Sequence, residues 1–158
     1  MAAIRRLRPD DYAQLITVYH DAVISQAAGH YSLAQIEAWS EHARRDDGFR
    51  QTLLCGYGFV SCAGEDSGTI EAFGLLDPPD RLALLYCRGR ASRQGRATVL
   101  LEALESHARQ EGFLRLRTEA SLLSRPLLER RGWQIEAAEE VIFAGESFRR
   151  WRMIKALA

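Results

Sequence analysis

Between positions 88 and 96 the chain reads RGRASRQGR, four arginines and two glycines without a carboxylate, directly ahead of the helix-like run ATVLLEALESHARQ. A helix N-terminus carries partial positive charge and prefers anions, so cations stacked there oppose the dipole unless an anion lies between them. Three chemistries fit this stretch. Consecutive backbone N–H groups at a glycine-containing strand-to-helix turn form a nest for phosphate, and guanidinium groups beside it supply charge and bidentate grip. A nucleic-acid backbone is a second ligand, with LRLR and FRRWR as further basic surface. The third reading is a solvated charge run with no ligand.

The whole chain narrows the choice. Its 158 residues carry 21 Lys plus Arg against 21 Asp plus Glu, a formal net charge of zero, which argues against a nucleic-acid partner and makes the loop a local feature. The length suits one domain, 1–158, large enough to bury a core without a metal or disulfides. Cys55, Cys62 and Cys87 are odd in number and follow no C-x-x-C or zinc spacing, so they read as inert thiols in a reducing compartment, and no metal site is expected. The opening MAAIRRLRPDDY has no apolar leader and no run approaches a membrane span; a cytoplasmic protein without a membrane partner is the expectation.

The elements that must position the loop are legible as patterns. AIRRLR at 3–8 predicts a first strand, and Asp10 or Asp11 caps a helix with Tyr12, Leu15, Ile16, Tyr19 and Val23 on one face. Ser32 and Gln35 form a capping box for a second helix, with Tyr31 and Ile36 placed as its hydrophobic staple. TLLCGYGFVSCAG, GTIEAFGLLD and RLALLYC read as an antiparallel meander turned by GEDSG and DPPD, the third strand apolar enough to be covered on both faces. A helix from about Gly95 to Gln110, stopped by Gly112, leads into the strand FLRLRTEA, and strand–helix–strand implies a right-handed crossover to a parallel neighbour. A short helix in SLLSRPLLERRGW, capped by Ser121 or Ser124, precedes two closing strands, WQIEAAEEVIFAG and SFRRWRMIKAL. The fold class is therefore α/β (α+β), a central mixed and mostly antiparallel sheet of about six to seven strands flanked by about four helices.

In this order of elements, the segment LALLYCRGRASRQGRATVLLEALESHARQEG resembles the acetyl-CoA motif of the Gcn5-related N-acetyltransferase (GNAT) superfamily, a strand of the type LYV followed by [RQ]-x-x-G-x-[GA] and a helix with paired leucines. Leu85, Tyr86 and Cys87 match the strand, Gly95 and Ala97 the small positions, and Leu100 and Leu101 the pair; Ser92 stands where the family has Gln or Arg, with Arg93 one residue on. IRRLRPDDYAQLITVY resembles the family's opening strand and helix, TEASLLSRPLLERRGW a later segment of many bacterial members, and HYSLAQIEAW a stretch of one branch of small bacterial acetyltransferases.

The resemblance implies acetyl transfer from acetyl-CoA to an amine of a small molecule or protein. It places the pyrophosphate on backbone N–H groups of Arg93, Gln94, Gly95, Arg96, Ala97 and Thr98, with Arg93 and Arg96 ahead of Arg88 and Arg90 as charged partners. It places the thioester at Leu85, Tyr86 and Cys87, an oxyanion-holding N–H near Tyr86 or Cys87, and the pantetheine arm against Ser121. Leu128 and Ala83 stand where members carry a thiolate acid and an acidic residue, so Tyr86 and Ser124 become the candidate acids. Glu119 is the first candidate base and Glu71 the second. The acceptor wall falls to His30, Tyr31 and Trp39, with Tyr19 behind them. A CoA-binding regulatory module without turnover is the alternative function. Dimers are common in the superfamily, and FRRWRMIKAL could supply a paired last strand for a homodimer.

Overall fold

The computed structural model describes residues 3–64 and 68–158. Its strands are β1 (Ile4–Arg6), β2 (Tyr57–Cys62), β3 (Ile70–Leu76), β4 (Arg81–Cys87), β5 (Arg115–Ala120), β6 (Gln134–Phe143) and β7 (Glu146–Ala156). Its helices are α1 (Tyr12–Ala27), α2 (Leu33–Arg45), α3 (Asp47–Cys55), α4 (Arg96–Gln110) and α5 (Arg125–Arg130). The strands form one sheet in the order β1-β2-β3-β4-β5-β7-β6. Every neighbouring pair is antiparallel except β4 and β5, which are parallel and joined through α4. This is the mixed, mostly antiparallel sheet that the patterns predict. The GEDSG turn between β2 and β3 falls partly on residues 65–67, outside the described residues.

Successive side chains of a strand point to opposite faces, and the sheet is covered on both. One core gathers Leu15, Tyr19 and Val23 of α1, Trp39 of α2, Phe49 and Leu53 of α3, and Phe73 and Phe148 from the sheet. The other gathers Leu101 and Leu104 of α4, Leu128 of α5, and Leu116, Trp133 and Met153. Glu105, buried on α4, accepts hydrogen bonds from Lys155 Nζ at 2.6 Å and Trp133 Nε1 at 3.1 Å and so fastens that helix to the end of the sheet. A carboxylate this enclosed is held by its two donors.

Three local expectations change. Asp11 does not cap α1 forwards: a 3-10 turn, Pro9–Asp11, leads in, and the carboxylate turns back to accept two bonds from Arg5 at 2.9 Å and one from Arg8 N–H at 2.8 Å. Burial pushes that carboxyl's pKa up, but the hydrogen bonds from Arg5 and Arg8 outweigh it and hold the group below its ordinary range. TLLC is the second change, being the end of α3 and not the start of a strand; Phe49 and Leu53, four residues apart, bury on one helical face. That fifth helix replaces the long strand expected from position 52, and β2 begins only at Tyr57.

The third change concerns β4. Its neighbour β3 is buried at every residue, as a strand covered on both faces should be, whereas β4 buries only Leu82 and leaves the rest half-exposed. The apolar run of β4 faces a cleft. The Ser32–Gln35 capping box forms as expected, at 3.1 and 2.9 Å, and Gln35 Nε2 also donates to Ser147 O at 2.9 Å, which ties α2 to β7. Among the described residues, no helix is long and apolar enough to cross a membrane.

Candidate active site

β4 and β5 are paired only at Arg81 with Arg117 and Leu82 with Thr118. Beyond Leu82 the two strands diverge, and the polar groups along that edge of β4 lose their strand partner just where it is apolar in side chain. Gln26 of α1 covers one of them, donating from Nε2 to Cys87 O at 2.8 Å. The gap is a cleft of about 860 Å³ including its mouth, walled by Leu82–Cys87, by Ala97 of α4, and by Leu127 and Leu128 of α5.

At one end of the cleft stands the arginine loop. Gly95 is at φ +80° and Arg93 at φ +59°, both left-handed, and nothing lies within 4 Å of a Cβ built on Gly95. No side chain caps α4, so its first-turn N–H groups, those of Arg96, Ala97 and Thr98, are unsatisfied donors aimed out of the helix beside open space. Such a turn fits an anionic ligand.

The arginines divide in an order that the sequence does not reveal. Arg88 donates to Ile70 O at 3.0 Å, Arg90 pairs with Glu71 at 2.6 Å, and Arg96 reaches Ser61 Oγ at 2.9 Å and Cys62 O at 3.0 Å. Only Arg93 of the four is exposed without an ion pair among the described residues. Most of the loop's charge holds the loop itself to β2 and β3. Ser92, for its part, closes the turn Gly89–Ala91 by donating to Gly89 O at 2.8 Å.

A second cavity, of about 630 Å³ including its open mouth, lies between α2 and the β6–β7 hairpin. Trp39, Tyr86, Glu119 and Ser121 line both cavities, so the two meet there. Glu119 accepts from Arg81 Nη2 at 2.6 Å and Arg81 Nε at 3.0 Å. Tyr86 Oη accepts from Trp39 Nε1 at 3.3 Å, and its ring packs 4.7 Å from that of Tyr19. Burial raises the pKa of the Tyr86 phenol above its ordinary value, more than the hydrogen bonds from Trp39 and Tyr19 lower it, and the group stays neutral and able to donate at neutral pH.

Ser121 and Ser124 bind each other's turn: Ser124 Oγ accepts from Ser121 N–H at 3.0 Å, and Ser121 Oγ from the N–H groups of Leu123 and Ser124, both at 3.1 Å. The hydroxyl of Ser124, at the N-cap position of α5, thus reaches backwards and not into the helix. Tyr31 Oη accepts from Leu122 N–H at 3.2 Å at the wall of the second cavity. Burial pushes the Cys87 thiol up to about 11, with Glu71 and Asp21 adding to it and Arg96 opposing, so Cys87 is no nucleophile at neutral pH.

Other candidates lie elsewhere. His30 is exposed in the Gly29–His30 turn and lines neither cavity, because its side chain points out where the chain reverses between α1 and α2. Tyr19 is 2% exposed and belongs to the core. Glu71 is 4% exposed, bound to Arg90, and outside both cavities. Arg81, Phe143, Phe148 and Arg150 line the second cavity without having been singled out by pattern. Phe143, Phe148 and Arg150 sit in β6 and β7, whose alternation reads as ordinary strand, Arg81 opens β4, and no local motif marks any of them as an active-site residue. No group of three or more His, Cys, Asp or Glu able to hold a metal occurs among the described residues.

A mixed sheet split between two parallel strands, with an uncapped helix N-terminus at the split, defines the class of protein. Residues 27–155 match the acetyltransferase (GNAT) domain, and the chain belongs to that family. It is 25% identical over 151 residues to the uncharacterised N-acetyltransferase YafP of Escherichia coli K12, covering 95% of this chain and 93% of that protein. A GCN5-related N-acetyltransferase structure from Rhodopseudomonas palustris superposes with a TM-score of 0.91 at 26% identity, over 99% of this chain and 96% of that one. The PaiA N-acetyltransferase of Thermoplasma acidophilum, solved with coenzyme A, shares the fold with a TM-score of 0.78 at 19% identity, over 99% of each chain.

Proposed function

We propose that the protein is an N-acetyltransferase that moves the acetyl group of acetyl-CoA to a primary amine by direct attack on the thioester, within one domain. The observation that carries this reading is the meeting of the two cavities at Trp39, Tyr86, Glu119 and Ser121. A donor in the β4–β5 cleft and an amine in the aromatic cavity come together there and nowhere else on the lining.

Acetyl-CoA, when bound, supplies the activated acyl group. The free N–H groups of Arg96, Ala97 and Thr98, with Arg93 beside them, hold the phosphates. The unpaired edge of β4 near Tyr86 and Cys87 carries the N–H that stabilises negative charge on the carbonyl oxygen. A C–N bond forms and the C–S bond breaks; the amine proton passes to Glu119, and Tyr86 Oη donates to the leaving sulfur, with Ser124 as its neighbour in the cleft. Tyr31 and Trp39 wall the acceptor. That the PaiA structure contains coenzyme A supports the same cosubstrate here.

The test is release of free thiol from acetyl-CoA in the presence of a broad panel of amines. Amine-dependent release above the buffer rate is expected. Saturable acetyl-CoA binding with no release across the panel would instead favour a binding module, a reading consistent with Leu128, 1% exposed in the core, standing where members carry a thiolate acid.

A further inference from the structure

We propose that the acceptor is an amine that also carries a free carboxylate on an apolar, aromatic body, a small amino-acid-like molecule. This rests on the acetyltransferase reading and concerns the second cavity. Tyr31, Trp39, Tyr86, Phe143 and Phe148 supply five rings to its lining. Trp39 and Phe148 lie edge-to-face at 6.1 Å, and Tyr31 packs edge-on to Trp39 at 5.3 Å. Such a wall suits a flat apolar body.

The polar end of the cavity is cationic beyond its own needs. Arg81 and Glu119 cancel each other. Arg150, which lines the cavity, shares the single carboxylate of Glu139 with Arg152, at 2.8 and 3.0 Å, so that trio keeps one positive charge over. Arg149, the residue between Phe148 and Arg150, turns to the opposite face of β7, where its guanidinium lies over the Trp151 ring at 5.7 Å. A cavity with surplus guanidinium charge recruits an anion and repels polyamines and lysine-rich acceptors; Arg150 gives Nε and Nη2 to Glu139, and its Nη1 is left to meet a carboxylate.

Register gives the spacing. Glu119 pairs with Arg152 across β5 and β7, and Arg150 stands two residues along β7 on the same face, about 7 Å away. An amine delivering its proton to Glu119 and a carboxylate reaching for Arg150 therefore fit within one small molecule.

The experiment compares kcat/KM for phenylalanine, phenylalanine amide, phenethylamine and spermidine, with thiol release as the readout. Phenylalanine is expected to exceed the amide and phenethylamine by at least about tenfold, the worth of one good ionic hydrogen bond. In Arg150→Glu that ratio is expected to fall to about one or below, since the charge that reads the carboxylate is reversed. Equal use of the amide, preference for spermidine, or a ratio unchanged in Arg150→Glu overturns the acceptor class while acetyl transfer stands. Thiol release with none of the four also overturns it, and transfer itself is then judged by the broader amine panel.

Discussion

Replacing Gly95 with valine is expected to raise the dissociation constant for acetyl-CoA by roughly 10²–10⁴-fold, through loss of about two charge-assisted hydrogen bonds. Gly95 sits at φ +80°, where a β-branched residue is strained, and it immediately precedes the N–H groups of Arg96, Ala97 and Thr98. The strain is relieved by turning φ negative, which swings those donors away from a common point. Because nothing lies within 4 Å of a Cβ at this position, the protein itself has room for the new side chain, and the melting temperature should fall by only roughly 2–8 °C. Gly95→Ala separates the causes: it carries the same left-handed strain with less bulk in the ligand's space, so its affinity should lie between the two. Calorimetric titration of acetyl-CoA reads both variants. Unchanged affinity in Gly95→Val would remove the phosphates from this turn.

Glu119→Gln is expected to lower kcat by roughly 10²–10⁴-fold, the usual contribution of a positioned general base, while acetyl-CoA still binds. The carboxylate stands at the junction of the two cavities and is held in one orientation by three hydrogen bonds from Arg81. A purely structural ion pair would behave differently. Its loss would appear chiefly as a lower melting temperature, with kcat reduced in proportion to the unfolded fraction. Loss of the base instead lowers kcat in a variant whose folded fraction and acetyl-CoA affinity are unchanged. A full-rate Glu119→Gln enzyme would move proton removal to solvent, with transfer driven by positioning alone.

Much of the frame is legible in the sequence because its signals are local. Ser32 and Gln35 need only three residues to declare a helix start, Gly112 and Gly132 stop α4 and α5 at φ +87° and +90°, and the β2–β4 meander alternates between clear turns. TLLC is a different case, for a short run of three apolar residues after a threonine fits a strand or a helix equally well. What decides it is Phe49, four residues before Leu53, which the core receives on the same face. Likewise an apolar β4 reads as fully covered, although the wedge beside it leaves it half-exposed; hydrophobicity records that something apolar is met there, not whether it is protein or ligand.

The site divides in the same way. Tyr86, Gly95 and Ala97 are legible as candidates because one contiguous motif carries them, and Ser121 because a second segment, TEASLLSRPLLERRGW, does. Which arginine is free is not, since Arg88, Arg90 and Arg96 are engaged by β2 and β3 residues 18 to 35 positions away in sequence. The second cavity is the least legible part. Phe143, Phe148 and Arg150 reach Trp39 and Glu119 only after the β6–β7 hairpin has been laid beside β5, and nothing in their spacing differs from an ordinary amphipathic strand.

On the proposed function, acetyl-CoA enters the split between β4 and β5 with its phosphates at the start of α4. Backbone amide shifts of isotope-labelled protein, followed while acetyl-CoA is added, locate it. Saturable shifts are expected, largest at Gln94–Thr98 and along Leu84–Cys87, with Ala144 and Gly145 at the far tip of the β6–β7 hairpin unmoved. Shifts confined to other surfaces, or none that saturate, would contradict it.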